Sequence, residues 1–238
     1  MHPLVSPLAG TLIVSAQAYP GEPMRDPRTM AQVAAAVAAG GASAIRAQGL
    51  EDIRAVKAAV TTVPIIGIWK DGSEGVFITP TFAHAEAVLE AGADIIALDG
   101  TLRERPDGLT FAETVARIRD VSDAAIMADC DSEDSALAAA DAGADIIGTT
   151  LAGYTGARPT TEGPDLELLA SLVRQLPEHA VVAEGRVHTL AQAAACREAG
   201  AFAVVVGTAI THPTSITRWF DAAVRGAAGP TAHEGQPS

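Results

Sequence analysis

The chain has 238 residues, of which 48% are hydrophobic and 4% aromatic, and its formal net charge is -13. Its length is close to the roughly 250 residues of a single α/β barrel, and its apolar, Ala- and Gly-rich composition argues against a disordered chain. The strong negative charge repels phosphate backbones, so we expect no nucleic-acid partner.

A short phrase recurs along the chain. It reads AGADIIALD from Ala91, AGADIIGTT from Ala142 and AGAFAVVVG from Ala199, with a looser copy, AAGGASAIRA, from Ala38. In each copy an Ala-rich helical stretch ends at a glycine, which can adopt the left-handed conformation that closes a helix. An apolar run begins a few residues later, so the phrase predicts a series of parallel βα units.

The complete pattern predicts eight strands alternating with eight helices. The strands are expected at residues 11–16, 43–46, 65–68, 94–98, 124–128, 145–149, 180–183 and 203–206. The helices are expected at residues 29–39, 50–60, 81–90, 111–120, 133–142, 165–176, 189–199 and 214–224. This alternation favours a (β/α)8 TIM barrel with a parallel eight-stranded sheet. The alternative is an open doubly wound sheet, but no GxGxxG motif follows the first strand.

Further features limit compartment and cofactors. Cys130 and Cys196 form neither a CxxC pair nor a metal-ligand spacing, which is typical of a reduced, cytoplasmic protein. No signal peptide or membrane span is expected, and the scattered histidines predict neither a metal site nor a cofactor. We expect residues 1–226 to form one barrel domain with a short N-terminal extension, and the Pro/Gly/Ala/Ser-rich residues 227–238 to be a disordered tail.

Polar residues stand directly against the apolar runs at the ends of the predicted strands, where a barrel carries its catalytic groups. In chain order they are Gln17, Arg46, Lys70, Asp99, Asp129, Thr149 with Thr150, and Glu184. Charged residues are seldom tolerated so close to a core unless they are paired. We therefore expect functional residues among them, with Lys70 and Glu184 first, whereas Asp99 could simply pair with Arg103 or Arg105.

Lys70 and Glu184 suit proton transfer. In a partly dry cleft the pKa of a lysine falls and that of a carboxylic acid rises, so that both can exchange protons. Placed on the third and seventh strands, they would face each other across the barrel mouth. Three interpretations follow: a proton-transferring isomerase, a Schiff-base aldolase or lyase that uses the same lysine, and a non-catalytic barrel that binds a sugar phosphate. Phosphate is expected at the loops after strands seven and eight, which carry Gly185, Arg186, Gly207 and Thr208.

Ten motifs between Leu12 and Pro213, in a match that runs from about Leu12 to Val224, resemble the N-acetylmannosamine-6-phosphate 2-epimerase family of the ribulose-phosphate-binding barrel group. They include IRAQG from Ile45, PIIGIWK from Pro64, MADC from Met127, GADIIGTTLAGYT from Gly143 and VVAEGRVHT from Val181. The resemblance implies the interconversion of N-acetylmannosamine 6-phosphate and N-acetylglucosamine 6-phosphate, a step in sialic acid and amino-sugar catabolism. It also implies a metal-independent enzyme that forms a homodimer.

The resemblance implies that Lys70 and Glu184 are catalytic. The residues predicted to bind substrate are Gln17, Arg46, Asp129, Tyr154, Gly185, Arg186, Gly207 and Thr208. A mechanism in which the acetamido group of the substrate assists a single base is an alternative.

The chain departs from the family at His212, where an arginine is usual in a loop that can reach the phosphate, so phosphate affinity or its pH dependence is expected to differ. The C-terminal helix carries Trp219 and Phe220, which either form the dimer surface or pack inward.

Overall fold

The computed structural model describes residues 1–226, so the predicted tail lies outside the described residues. Eight parallel strands form a closed barrel in sequence order, and the last strand pairs with the first. The predicted TIM barrel is confirmed. Among the helices of the described residues, none combines the length and the apolar character needed to cross a membrane.

The strands are β1 Leu12–Ala16, β2 Ala44–Gln48, β3 Ile65–Ile68, β4 Ile95–Asp99, β5 Ala125–Asp129, β6 Ile146–Gly148, β7 Ala180–Ala183 and β8 Ala203–Val206. The helices are α1 Pro27–Ala39, α2 Leu50–Ala59, α3 Phe82–Glu90, α4 Phe111–Val121, α5 Glu133–Asp141, α6 Leu166–Gln175, α7 Leu190–Glu198, α8 Thr208–Thr211 and α9 Pro213–Val224. Each predicted strand and helix is present. The four-residue helix α8 and a 3-10 turn at Ser6–Leu8 are not among the predicted elements.

Local sequence explains where the helices begin and end. A glycine within each copy of the recurring phrase is left-handed, with φ values of 103, 102, 91 and 97° at Gly41, Gly92, Gly143 and Gly200. Only glycine adopts this conformation without steric cost, so the helix stops and the chain turns back into the next strand. At the other end, capping boxes at Thr110, Ser132 and Thr189 satisfy the first N–H groups of α4, α5 and α7.

The strands have two buried faces, because successive side chains of a strand point to opposite sides. On β5, Ala125 and Met127 belong to the cluster inside the barrel, whereas Ile126 and Ala128 pack in the layer against the helices. Val5 and Leu8, just before β1, join the same interior cluster. The barrel is therefore a packed core rather than a pore.

Candidate active site

The next inward position beyond these apolar layers is polar on several strands. Arg46 follows Ala44 by two residues, Asp129 follows Met127, and Glu184 follows Val182, and the apolar member of each pair lies in the interior cluster. Because side chains alternate with a period of two, the polar residues face the same interior one layer higher. The carboxyl ends of all eight strands open on the same side of the barrel, so these residues meet there.

Arg46 joins the buried charges of this layer. Its Nη1 and Nη2 donate to Oδ1 and Oδ2 of Asp129 at 2.9 and 2.5 Å, and Nη1 also donates to Oε2 of Glu184 at 3.0 Å. The side chains of all three are 0% exposed. Burial works against the charge of Arg46, but Asp129 and Glu184 outweigh burial and raise its pKa. The guanidinium is thus a fixed cation between two carboxyl groups.

The two oxygens of Glu184 have different surroundings. Oε2 accepts from Arg46 and lies 3.2 Å from the hydroxyl of Thr150, whereas Oε1 is buried and has no hydrogen-bond partner within residues 1–226. Burial raises the pKa of Glu184 to about 7; Arg46 opposes the shift and Asp129 adds to it. A carboxyl group that titrates near neutrality can carry a proton and also give it up.

Lys70 reaches the mouth from the loop after β3. An antiparallel bridge between Lys70 and Ile78 folds this loop back as a hairpin, and the N–H of Asp71 donates to the carbonyl of Phe77 at 3.0 Å. Burial lowers the pKa of Lys70 to about 7, the charge of Arg46 adds to the shift, and Glu184 and Asp129 oppose it. Lys70 and Glu184 therefore exchange protons in the same pH range, and each shifts the pKa of the other.

A cavity of about 190 Å³ opens beside Lys70. Its lining includes Gln17, Tyr19 and Gln48. Nε2 of Gln17 donates to the hydroxyl of Ser15 at 2.7 Å, which leaves its buried Oε1 without a partner in the described part of the chain. Unsatisfied polar atoms at the edge of a cavity are typical of a site that binds a polar ligand.

The turn after β8 lies next to this cavity. Gln17 and Tyr19 also line a smaller space whose other residues include Gly207 and Thr208. Thr208 is hydrogen-bonded to the side chain of Tyr19. The loops after β1, β3 and β8 therefore lie side by side at the mouth of the barrel.

This arrangement fits a family of known enzymes. A family model whose description reads "Putative N-acetylmannosamine-6-phosphate epimerase" matches residues 30–226. The chain belongs to this family.

Individual relatives agree with the family match. A chain from Cutibacterium acnes named "Putative N-acetylmannosamine-6-phosphate 2-epimerase" is 60% identical over 93% of this chain and 97% of its own length. The solved structure of the N-acetylmannosamine-6-phosphate 2-epimerase from Clostridium perfringens superposes with a TM-score of 0.88 at 37% identity, covering 93% of this chain and 96% of that one. A thiamine phosphate pyrophosphorylase from Pyrococcus furiosus, at 20% identity and a TM-score of 0.58, shares the fold alone.

The structure brings several of the predicted site residues together. Arg46, Asp129 and Glu184 are in direct contact, and Lys70 is coupled to them through their charges. Gln17 lies beside Lys70 in the wall of the cavity. Asp99 instead receives hydrogen bonds from Thr101 and from Arg103, at 2.6 Å in each case. The pairing of Asp99 with Arg103 is therefore confirmed.

Other predicted residues hold loops in place. Arg186 donates to the carbonyls of Ala152 and Gly163 at 2.9 and 3.1 Å, and its guanidinium lies 4.9 Å from the ring centroid of Tyr154. These contacts tie the loop after β6 to the loop after β7. Gly185 precedes Arg186 with φ at 108°, a conformation that favours glycine. Substrate binding by Gly185, Arg186 and Tyr154 stays a prediction.

His212 lies between α8 and α9 rather than in an open loop. It is buried, its Nε2 contacts the carboxylate of Glu22, and its Nδ1 lies 2.7 Å from the hydroxyl of Ser215. The ring also meets the edge of the Tyr19 ring at a centroid distance of 5.3 Å. His212 thereby ties the loop after β1, which carries Gln17 and Tyr19, to the start of α9.

Two residues of the site carry no predicted role: Thr150 is named only among the polar residues at the ends of the predicted strands, and Tyr19 is not among the candidates. Thr150 follows Gly148 by two residues and contacts both Asp129 and Glu184; the period of two along β6 was a signal for it. Tyr19 lies beyond the end of β1, and its ring centroid is 5.8 Å from Nζ of Lys70. No periodic pattern extends into that loop, so only the folded chain places Tyr19 in the site.

Proposed function

We propose that this protein interconverts N-acetylmannosamine 6-phosphate and N-acetylglucosamine 6-phosphate by removing the proton at C2 and returning it on the other face. Membership of the family and its named relatives support this reaction. The observation that carries the mechanism is the electrostatic coupling of Lys70 and Glu184, whose pKa values both lie at about 7. A proton transfer is fastest when donor and acceptor titrate near the working pH.

The substrate supplies an acidic proton. In the open-chain sugar, C2 is next to the C1 aldehyde, and loss of its proton places negative charge on the aldehyde oxygen. Arg46 is a fixed cation in a buried layer, where a charge stabilises a developing oxyanion far better than it does in water. We assign this electrostatic role to Arg46 and assign its positioning to Asp129.

Lys70 and Glu184 work as a pair that holds one exchangeable proton. In one direction neutral Lys70 takes the C2 proton and protonated Glu184 delivers another to the opposite face. In the reverse direction ionised Glu184 takes the C2 proton and protonated Lys70 delivers another to the opposite face. Both forms have the same total number of protons, so one protonation state of the pair serves both directions.

The surrounding loops bind the remaining parts of the substrate. Gln17, whose Oε1 has no partner within the described residues, contacts the sugar, and the turns at Gly185 and at Gly207–Thr208 hold the phosphate.

Phe220 is 70% exposed on α9, and Trp219 packs against His188 at a ring-centroid distance of 4.8 Å. We propose that α9 forms the surface of a homodimer and that the enzyme is cytoplasmic.

The reaction is tested by proton NMR with N-acetylmannosamine 6-phosphate in D₂O that contains a chelator. We expect N-acetylglucosamine 6-phosphate with deuterium at C2, and no epimer with Lys70→Ala or Glu184→Gln. In a two-base reaction each variant still exchanges the C2 proton of one epimer only, and a different one in each case, which assigns the two faces. Exchange of both epimers by one variant would favour assistance by the acetamido group.

Lys57 provides the matched control. The chain has two lysines, Lys57 and Lys70, and Lys57 pairs with Asp94 at 2.5 Å on the outside of the barrel, where its side chain is 41% exposed. Lys57→Ala is expected to remain active. If no epimer and no C2 exchange appear, borohydride trapping with other sugar phosphates tests the aldolase alternative, and an adduct on Lys70 rather than Lys57 would support it.

A further inference from the structure

We infer that Thr150 is a positioning residue for Glu184: Nη1 of Arg46 keeps Oε2 unprotonated and leaves Oε1 to carry the transferred proton, and the hydroxyl of Thr150 donates to Oε2 once Glu184 is ionised. Thr150 is 0% exposed at the end of β6. The inference rests on the proposed function only for its kinetic consequence, because the proton affinity of Glu184 can be measured without substrate.

Two donors connect the same two carboxylate oxygens. The hydroxyl of Thr150 lies 2.6 Å from Oδ1 of Asp129 and 3.2 Å from Oε2 of Glu184. Nη1 of Arg46 lies 2.9 and 3.0 Å from those oxygens. A guanidinium donates and cannot accept a hydrogen bond, so a proton on Oε2 would point at a positively charged donor. The proton of Glu184 therefore belongs on Oε1, the buried oxygen without a partner in residues 1–226.

Thr150 adjusts to the charge of Glu184. A hydroxyl has one hydrogen and donates to one acceptor at a time. When Glu184 is protonated on Oε1, the hydroxyl donates to Asp129, its shorter contact. When Glu184 gives up the proton, the hydroxyl can turn to Oε2 and stabilise the new charge.

The backbone of Glu184 is held by the neighbouring residue. The hydroxyl of Thr149 donates to the carbonyl of Glu184 at 2.9 Å and accepts from its N–H at 3.1 Å. Two consecutive threonines directly after β6 thus hold Glu184, one at the main chain and one at the carboxyl group. The charged groups that act on this carboxyl group are Arg46 from β2, Lys70 after β3 and Asp129 from β5.

The test is a titration of the full chain without substrate. The side-chain carboxyl carbon of Glu184, labelled with ¹³C and assigned through Glu184→Gln, is followed by NMR from about pH 5 to pH 9. Thr150→Val removes the hydroxyl at nearly constant volume and is expected to raise the pKa of Glu184 by roughly half to one unit, as expected for a weak hydrogen bond to a charged group. Thr150→Ser keeps the hydroxyl and is expected to titrate as the wild type does.

Thr114 provides a matched control, because it is 0% exposed in α4 and its hydroxyl donates to the carbonyl of Thr110 at 3.0 Å. Thr114→Val is expected to leave the titration of Glu184 unchanged. An unchanged pKa in Thr150→Val would overturn the inference, and a lowered pKa would also do so, because it would mean that the hydroxyl accepts a hydrogen bond from a protonated Oε2. If Thr150→Val does not fold, Thr150→Ala takes its place with the same expected direction.

Kinetics then separates this inference from the proposed function. If the wild type epimerises the substrate, the alkaline limb of the kcat/KM profile is expected to shift to higher pH in Thr150→Val. In Thr150→Ser it is expected to lie at the wild-type pH. An inactive wild type with the expected titration shift would refute the reaction and leave the positioning role intact. An active wild type without the shift would refute the positioning role alone.

Discussion

Removing the guanidinium of Arg46 would leave two buried carboxyl groups without their cation. Arg46→Met keeps much of the aliphatic stem but removes the donors to Oδ1 and Oδ2 of Asp129 and to Oε2 of Glu184. Because all three side chains are 0% exposed, water does not reach the positions that the nitrogens leave. The loss is therefore expected in the free energy of unfolding as well as in catalysis.

The size of the loss follows from the burial of the pair. Removing one partner of a buried ion pair costs about 3–5 kcal/mol, because the other charge stays buried and uncompensated. We expect a loss of about 4 kcal/mol at pH 7. Without Arg46 the pKa of Glu184, which burial already raises, rises further, and the folded state then binds more protons than the unfolded state does. The loss is therefore expected to shrink as the pH falls from 7 to 5.

Guanidinium chloride unfolding, followed by circular dichroism at pH 5 and pH 7, measures this effect. Arg225→Met is the control, because Arg225 pairs with Asp221 at 2.8 Å but the two side chains are 74% and 57% exposed. An exposed pair contributes at most about 1 kcal/mol. The double variant Arg46→Met/Asp129→Leu removes both charges of the bidentate pair and is expected to regain much of the lost stability.

Two results would refute this reasoning. A loss below about 1 kcal/mol at pH 7 would mean that water or a side-chain rearrangement replaces the guanidinium. A loss of equal size at pH 5 and pH 7 would mean that the cost comes from packing rather than from uncompensated charge.

Three further predictions follow from the site and the fold. The kcat/KM profile is expected to be bell-shaped around pH 7, since Lys70 and Glu184 each have a pKa of about 7; a flat profile from pH 6 to pH 8 would contradict the shared proton. Lys70→Met is expected to raise the melting temperature at pH 7, because the pKa of Lys70 falls from 10.5 to about 7 on folding. The gain in melting temperature should decrease toward pH 10, where Lys70 also begins to lose its proton in the unfolded chain. Thermal scans that show an equal gain at pH 7 and pH 10 would contradict this prediction. Gly67→Ala would place a Cβ 2.6 Å from Cβ of Ala93 and 2.7 Å from Cγ1 of Val88. Urea unfolding is therefore expected to show a free energy of unfolding that is lower by about 1–3 kcal/mol. An unchanged midpoint would mean that α3 moves away from the new methyl group at no cost.

Sequence patterns predicted the barrel because its determinants are local. Apolar runs, glycines that end helices and capping residues act over a few positions. Repeated along the chain, they predict eight alternating strands and helices, which favours a closed parallel barrel. The ends of β2 and α1 were less well predicted: the strand ends at residue 48 rather than 46, and the helix begins at residue 27 rather than 29. Asp26 caps α1 and Pro27 starts it, which the apolar pattern alone does not mark.

The same patterns identified Lys70, Arg46, Asp129 and Glu184 as candidates, since each stands at the end of an apolar run. Only the tertiary structure decided how they interact. Arg46 meets Asp129 across 83 positions of sequence and Glu184 across 138, and no local rule relates residues so far apart. The tilt and closure of the barrel bring these strand ends together, and the burial that follows changes the pKa values of Lys70 and Glu184. The sequence by itself therefore determined which charged residues stand at the strand ends, while the packing of distant strands determined their protonation, their partners and the loop residues that join them.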